Sequence, residues 1–258
     1  NDTSVCIGGS VQLNATGGTI YSWSPVTGLS NPNIANPLAT PLTTTTYQVT
    51  VTDALGCSGI DTVLVTVHPL PTINAGNDTA ICIGSSAQLN ASGGTAYLWT
   101  PSAGLSDTTI SNPIASPTAT TTYFVFATDI NSCANFDSVI VTVNSLPIIS
   151  AGFDSTICFG DTTQLNASGG NAYTWSPSAG LSNSNISNPL AFPSATTSYI
   201  VTGTDINLCV NSDTVVVNVN SLPTVNAGND FSFCIGGSVQ LNASGATSYL
   251  WTPSAGLS

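Results

Sequence analysis

The chain has 258 residues, 41% of them apolar, no Lys or Arg, and twelve acidic residues, all Asp, that give a formal net charge of −12. Nothing in it can neutralise phosphate, which excludes nucleic-acid binding and attraction to an anionic membrane surface. No run reaches the ~18 apolar residues that cross a bilayer, so membrane insertion of this segment is not expected. The apolar residues alternate with polar ones in short runs, the pattern of half-buried strands and not of a disordered chain.

One unit of 76 residues recurs without insertion or deletion. Asn1-Asp2-Thr3-Ser4-Val5-Cys6-Ile7-Gly8 returns as Asn77-Asp78-Thr79-Ala80-Ile81-Cys82-Ile83-Gly84, again from Phe153 and again from Asn229. The spacing defines repeat 1 at 1–70, repeat 2 at 71–146, repeat 3 at 147–222 and the start of a fourth at 223–258. The fourth copy stops after about two expected strands, so the sequence reads as a piece of a longer array. A constant step is what a stalk or fibre requires.

Within repeat 1, Asp2–Ile7 reads as a first strand and Ser10–Ala15 as a second, with Val11 and Leu13 on one face. Gly17-Gly18 turns the chain into Ile20–Ser24, which places Tyr21 and Trp23 together, and Pro25 ends it. A Pro- and Asn-rich stretch from Thr27 to Pro41 has room for one or two short edge strands. Thr46–Thr52 and Ile60–Val67 are the strongest strands, separated by a turn at Asp53–Gly59. Linkers are expected at Pro69–Gly76, Ser145–Gly152 and Ser221–Gly228. About seven short strands per unit, with turns every 8–12 residues, predict an all-β fold of tandem immunoglobulin-like sandwiches. Tyr and Trp on the repeat lattice read as core packing.

The seven cysteines fall on two lattices: Cys6, Cys82, Cys158 and Cys234, and Cys57, Cys133 and Cys209. The simplest pairing is one disulfide per repeat: Cys6–Cys57, Cys82–Cys133 and Cys158–Cys209, with the partner of Cys234 missing. Zinc is the weaker use of these residues, because there is no Cys-x-x-Cys. Each closed loop would stabilise its unit by roughly 4 kcal/mol in the chain-entropy model. Disulfides place the protein in an oxidising, extracellular setting.

No catalytic set is visible. His68 is the only histidine, and its counterparts Asn144 and Asn220 make it a tolerated linker variant. Three aspartate lattices recur: Asp2, Asp78 and Asp154; Asp53, Asp129 and Asp205; Asp61, Asp137 and Asp213. If the first strand begins at the same pole as the last hairpin, these carboxylates converge at each junction and could hold a structural calcium ion. No cofactor is otherwise required. The plainer use of Asp is to serve turns and strand ends.

The string Asn74-Ala75-Gly76-Asn77-Asp78-Thr79-Ala80-Ile81-Cys82 resembles the opening of polycystic-kidney-disease-type (PKD-type) immunoglobulin-like repeats. The match continues through Gln88-Leu89-Asn90-Ala91-Ser92-Gly93-Gly94 to Tyr97-Leu98-Trp99-Thr100-Pro101, and at Thr120-Thr121-Thr122-Tyr123. This cysteine-bearing version is similar to the arrays of very large Bacteroidetes surface proteins, including gliding-motility-type adhesins exported by type 9 secretion. Asn77 and Phe153 stand where many relatives have a proline. The resemblance implies a bacterial cell-surface location. It also implies O-glycan acceptors of the Asp-Ser/Thr type at Thr62, Thr79, Thr108, Ser138, Ser155, Thr162 and Thr214.

The expected function is a non-enzymatic stalk that extends a binding tip. The expected partners are adjacent repeats, lateral copies in a fibre and surface glycans. Two alternatives are a spacer of a secreted hydrolase and a polysaccharide-binding module. The second of these predicts exposed aromatics peculiar to individual repeats.

Overall fold

The computed structural model describes residues 1–257, in which every regular element is a strand. Repeat 1 holds β1 (Thr3–Cys6), β2 (Val11–Gln12), β3 (Ile20–Ser24), β4 (Leu38–Ala39), β5 (Thr45–Thr52) and β6 (Ser58–His68). Repeat 2 holds β7 (Thr79–Cys82), β8 (Ala87–Gln88), β9 (Ala96–Thr100), β10 (Ile114–Ala115), β11 (Thr121–Thr128) and β12 (Ala134–Asn144). Repeat 3 holds β13 (Ser155–Cys158), β14 (Thr163–Gln164), β15 (Ala172–Ser176), β16 (Leu190–Ala191), β17 (Thr197–Thr204) and β18 (Val210–Asn220). Each repeat is an immunoglobulin-like sandwich of a four-stranded sheet, ordered β1-β6-β5-β3 in repeat 1, and a two-stranded sheet, β2-β4. The chain divides into two compact units, Asn1–Ser145 with two sandwiches and Leu146–Ser258 with one.

The first strand pairs with the last in parallel, with Thr3 opposite Val65 and Cys6 opposite His68. The last strand is eleven residues long and the first only four. The first strand therefore lies along the C-terminal end of the last one. The same register recurs in β7–β12 and β13–β18.

Alternation fills the core as expected. Tyr47, Val49 and Val65 are buried in repeat 1, as are Tyr123, Val125 and Val141 in repeat 2. Trp23, Trp99 and Trp175 are buried too, and each indole N–H donates at 2.9 Å to a carbonyl of the Pro- and Asn-rich stretch: Ile34, Ile110 and Ile186. The buried Tyr47, Tyr123 and Tyr199 hydroxyls donate to Thr27, Ala103 and Ala179. Each aromatic thus fills the core with its ring and anchors an irregular segment with its polar tip. The peptide bond before Pro25, and before Pro101 and Pro177 at the same place in the next repeats, is cis.

The linkers are shorter than the sequence suggests. Ile73 and Ala75 are buried in the core of repeat 2, and Asn74 exchanges backbone hydrogen bonds with Ser92. Ile149, Ser150 and Ala151 do the same in repeat 3. Alternate residues of these segments point inward, as in any strand, so only residues such as Pro69-Leu70-Pro71 truly connect sandwiches. In repeat 1 the corresponding groove, lined by Leu13, Trp23, Val49 and Val63, is an open cavity of about 400 Å³. Residues 222–257 hold turns and the isolated Asn226–Ser244 bridge instead of the expected strands. Counterparts of β11 and β12, against which such strands pair, are absent from this stretch.

Gly93 ties the entering segment to the sandwich. Its φ is +95°, and a Cβ there would lie 2.0 Å from the Thr72 carbonyl oxygen. Gly93→Ala is expected to destabilise repeat 2 by roughly 2–4 kcal/mol, through backbone strain and a clash that has no flexible atom to yield. Urea denaturation followed by Trp fluorescence measures it.

Candidate functional site

The chemistry of the first unit gathers at the junction between its two sandwiches. The disulfide in the first unit joins Cys6 of repeat 1 to Cys133 of repeat 2, with Cα atoms 5.5 Å apart and 127 residues between them in sequence. Cys82 and Cys209 are also disulfide-bonded, whereas Cys57, Cys158 and Cys234 are free and exposed. The expected pairing within each repeat is therefore wrong. Parallel pairing explains why: it puts Cys6 beside His68 at one end of β6, while Cys57 precedes Ser58 at the other end. Eleven residues of strand separate the two poles by roughly 35 Å, far beyond the ~6 Å Cα separation a disulfide bridges.

The second cysteine is presented by a turn that an aspartate builds. Asp129 Oδ1 accepts the Asn131 N–H at 2.8 Å and the Cys133 N–H at 2.9 Å. Asp53 and Asp205 hold Cys57 and Cys209 in the same way. Cys133 is fully buried, in contrast to the exposed Cys57 of repeat 1. The Cys133 N–H holds the Asp129 carboxyl below the ordinary carboxylate range; Asn131 and, least, the positive character of His68 add to this. His68 closes repeat 1, so the residue read as having no role stands near the cysteine turn of repeat 2.

A further contact fixes the connector. Asn135 Nδ2 donates to the Pro71 carbonyl at 2.9 Å, and Asn211 to Pro147 at 3.0 Å. Asp137 Oδ2 accepts the Ala75 N–H at 2.8 Å, and Asp213 that of Ala151 at 2.8 Å. The sequence does not single out Asn135 and Asn211, because each partner is a backbone group 64 residues away; Asp137 and Asp213, expected at the junction as calcium ligands, bind backbone N–H groups of the entering segment.

The three aspartates of a repeat do not converge. Asp2, Asp78 and Asp154 accept the N–H groups of Leu64, Ile140 and Val216 beside the last strand, away from the cysteine turn. Asp61 caps the neighbouring Thr62 N–H. Among the described residues no group of three or more His, Cys, Asp or Glu side chains could hold a metal ion. The cause is again the register, which moves the start of the first strand up along the last one. Calcium thus loses the clustering that motivated it.

The candidate glycan acceptors divide by exposure. Thr62, Ser138, Thr162 and Thr214 are exposed, and Thr79 and Thr108 are half-buried. Ser155 Oγ is enclosed without a hydrogen-bond partner, so it is no acceptor site in the folded chain.

No family model and no curated protein matches this chain. Solved structures similar to it are tandem immunoglobulin-domain proteins. Domains 3–5 of Drosophila OTK are 10% identical, with 85% of this chain and 95% of that one covered and a TM-score of 0.36. The eight N-terminal Ig domains of DSCAM are 15% identical, with 87% and 36% covered and a TM-score of 0.40. The titin I9–I11 tandem is 12% identical, with 86% and 97% covered and a TM-score of 0.36.

Two outcomes are expected here. Asp-N and chymotrypsin digestion of the unreduced chain yields a Cys6–Cys133 cross-linked peptide, and Cys57 alkylates without reduction. A Cys6–Cys57 peptide would contradict the fold. The second concerns acid. The Ala151 N–H, then that of Thr214, holds the Asp213 carboxyl below the ordinary range. A depressed folded-state value contributes stability above the unfolded value, near pH 4, and loses it as pH falls through the folded one. Asp213→Ala should lower the melting temperature at pH 7 and flatten its fall as the pH drops below about 4.

Proposed function

We propose that this chain is a structural, non-enzymatic stretch of a long extracellular surface filament that holds a binding element away from the cell. The observation that carries the reading is the Cys6–Cys133 bond, which links one sandwich to the next. A bond inside a sandwich stabilises that domain alone; a bond across a junction constrains how neighbours are oriented. The short connector, the Asn135–Pro71 hydrogen bond and the embedded Ile73–Ala75 segment act in the same direction. Disulfides persist in oxidising compartments, which supports an extracellular site. The bacterial surface and the link to gliding-type adhesins rest on the repeat motif alone. Glycans on Thr62, Ser138 and Thr214 would line the last strand of each repeat and shield a surface that has no Lys.

Single-molecule fluorescence between dyes at the exposed positions Gln48 and Phe124 tests the stiffness. A narrow distance distribution in the oxidised chain should broaden in the Cys6→Ser/Cys133→Ser variant. Equal widths would overturn the rigid-junction reading. Mass analysis of protein from its native source should show hexose-bearing peptides at Thr62, Ser138 or Thr214 and none at Ser155.

One observation favours a second reading, binding of a polysaccharide. Repeat 2 alone carries a cross-strand row of Leu98, Phe126 and Phe136, about half exposed, with the two rings 5.4 Å apart. The matching residues are Ser22, Thr50 and Ile60 in repeat 1, and Thr174, Thr202 and Ser212 in repeat 3. Retention of wild type, but not of Phe126→Ser/Phe136→Ser, on a glycan array would support it. Concentration-dependent sedimentation lost in the same variant would assign the patch to lateral contacts between copies.

A further inference from the structure

The Cys6–Cys133 bond does more than orient neighbours: we infer that it routes tensile load through β1 and β12 and makes the two-sandwich unit Asn1–Ser145 nearly inextensible. This rests on the stalk reading and adds a mechanical function to it. The inference starts from Cys6–Cys133. That bond leaves the end of the first strand of repeat 1 and enters just before the last strand of repeat 2.

One covalent path follows. It runs along β1 to Cys6, crosses to Cys133 and continues along β12. Both strands are held by parallel ladders, β1–β6 and β7–β12. The loop closed by Cys6–Cys133 holds β2 to β11, and tension on its ends cannot unravel it.

The slack left is small because the load-bearing residues are already extended. Asn1–Cys6 and Cys133–Asn144 together are 18 residues, which at about 3.3 Å each stretch to roughly 60 Å. Without the bond, the same two repeats would unravel to about 500 Å. An ordinary tandem pair absorbs force by unfolding domains one at a time; this one transmits it.

The test is optical-tweezers stretching of the full chain, with handles at the N-terminus and at a click-reactive side chain replacing Ser145. Oxidised protein is expected to show no unfolding step, because the covalent path between handles is only Asn1–Cys6 and Cys133–Asn144. Cys6→Ser/Cys133→Ser should gain about 400–450 Å of contour length, the extended length of the released loop. Reduction of the wild type during the pull should give the same gain, and serves if the variant fails to fold. A step of that size in oxidised protein would overturn the load path yet leave a stalk role standing. Native material that forms no filament under the electron microscope would remove the stalk role and leave the mechanics intact. Mapping of the Cys6 peptide to Cys133 supports the load path; mapping of Cys6 to any other cysteine overturns it.

Discussion

The parallel pairing of a very short first strand with the far end of a long last strand controls this structure. Four residues against eleven leave either end open, and the register, with Cys6 opposite His68, selects the end where the domain hands over to its successor. Cys133 precedes the last strand of repeat 2 and there meets Cys6 of repeat 1, so a pairing that looks internal to a repeat joins two repeats instead. The Asp-built turn then offers Cys133 in a fixed orientation, and the Asn135 amide holds the connector beside it.

The energetic logic of the repeat follows from its composition. With no Lys or Arg, carboxylates cannot pair with side-chain cations other than the lone His68. They turn instead to backbone N–H groups, in charge-assisted hydrogen bonds that need no counter-charge. Asp2, Asp53 and their counterparts in repeat 2, together with Asp137, each complete a strand end or a turn. Buried aromatics do the matching task from inside, where Trp99 and Tyr123 satisfy carbonyls of the irregular stretch that would otherwise be stranded against the core. Order in a chain with so much Pro, Asn and Ser depends on these point attachments.

Much of the fold was legible in the sequence, and the reasons are local. Thr46–Thr52 and Ile60–Val67 carry the strict alternation of half-buried strands, and they are β5 and β6 to within two residues at either end. The Trp and Tyr lattice marked the core correctly. The sequence locates the Asp2–Ile7 strand along the chain but not its pole, and the pairing of the cysteines and the gathering of the aspartates both depend on that pole. It draws the linker too long because Ile73 and Ala75, with a single polar residue between them, give too short an alternation to separate a strand from a connector. The exposed Leu98, Phe126 and Phe136 row of repeat 2 lay on alternate positions of three strands. Only the pairing register shows that they adjoin.

By itself the sequence determined the period, the all-β class, the inward and outward faces of each strand and the oxidising chemistry of the cysteines. These depend on residue type and on spacing along the chain, both written in the linear text. Tertiary structure alone decided which cysteine meets which, whether the aspartates gather, and where one domain ends and the next begins. Those outcomes depend on the sliding register between strands more than 60 residues apart, fixed by collective packing of a core and not by any local run of residues.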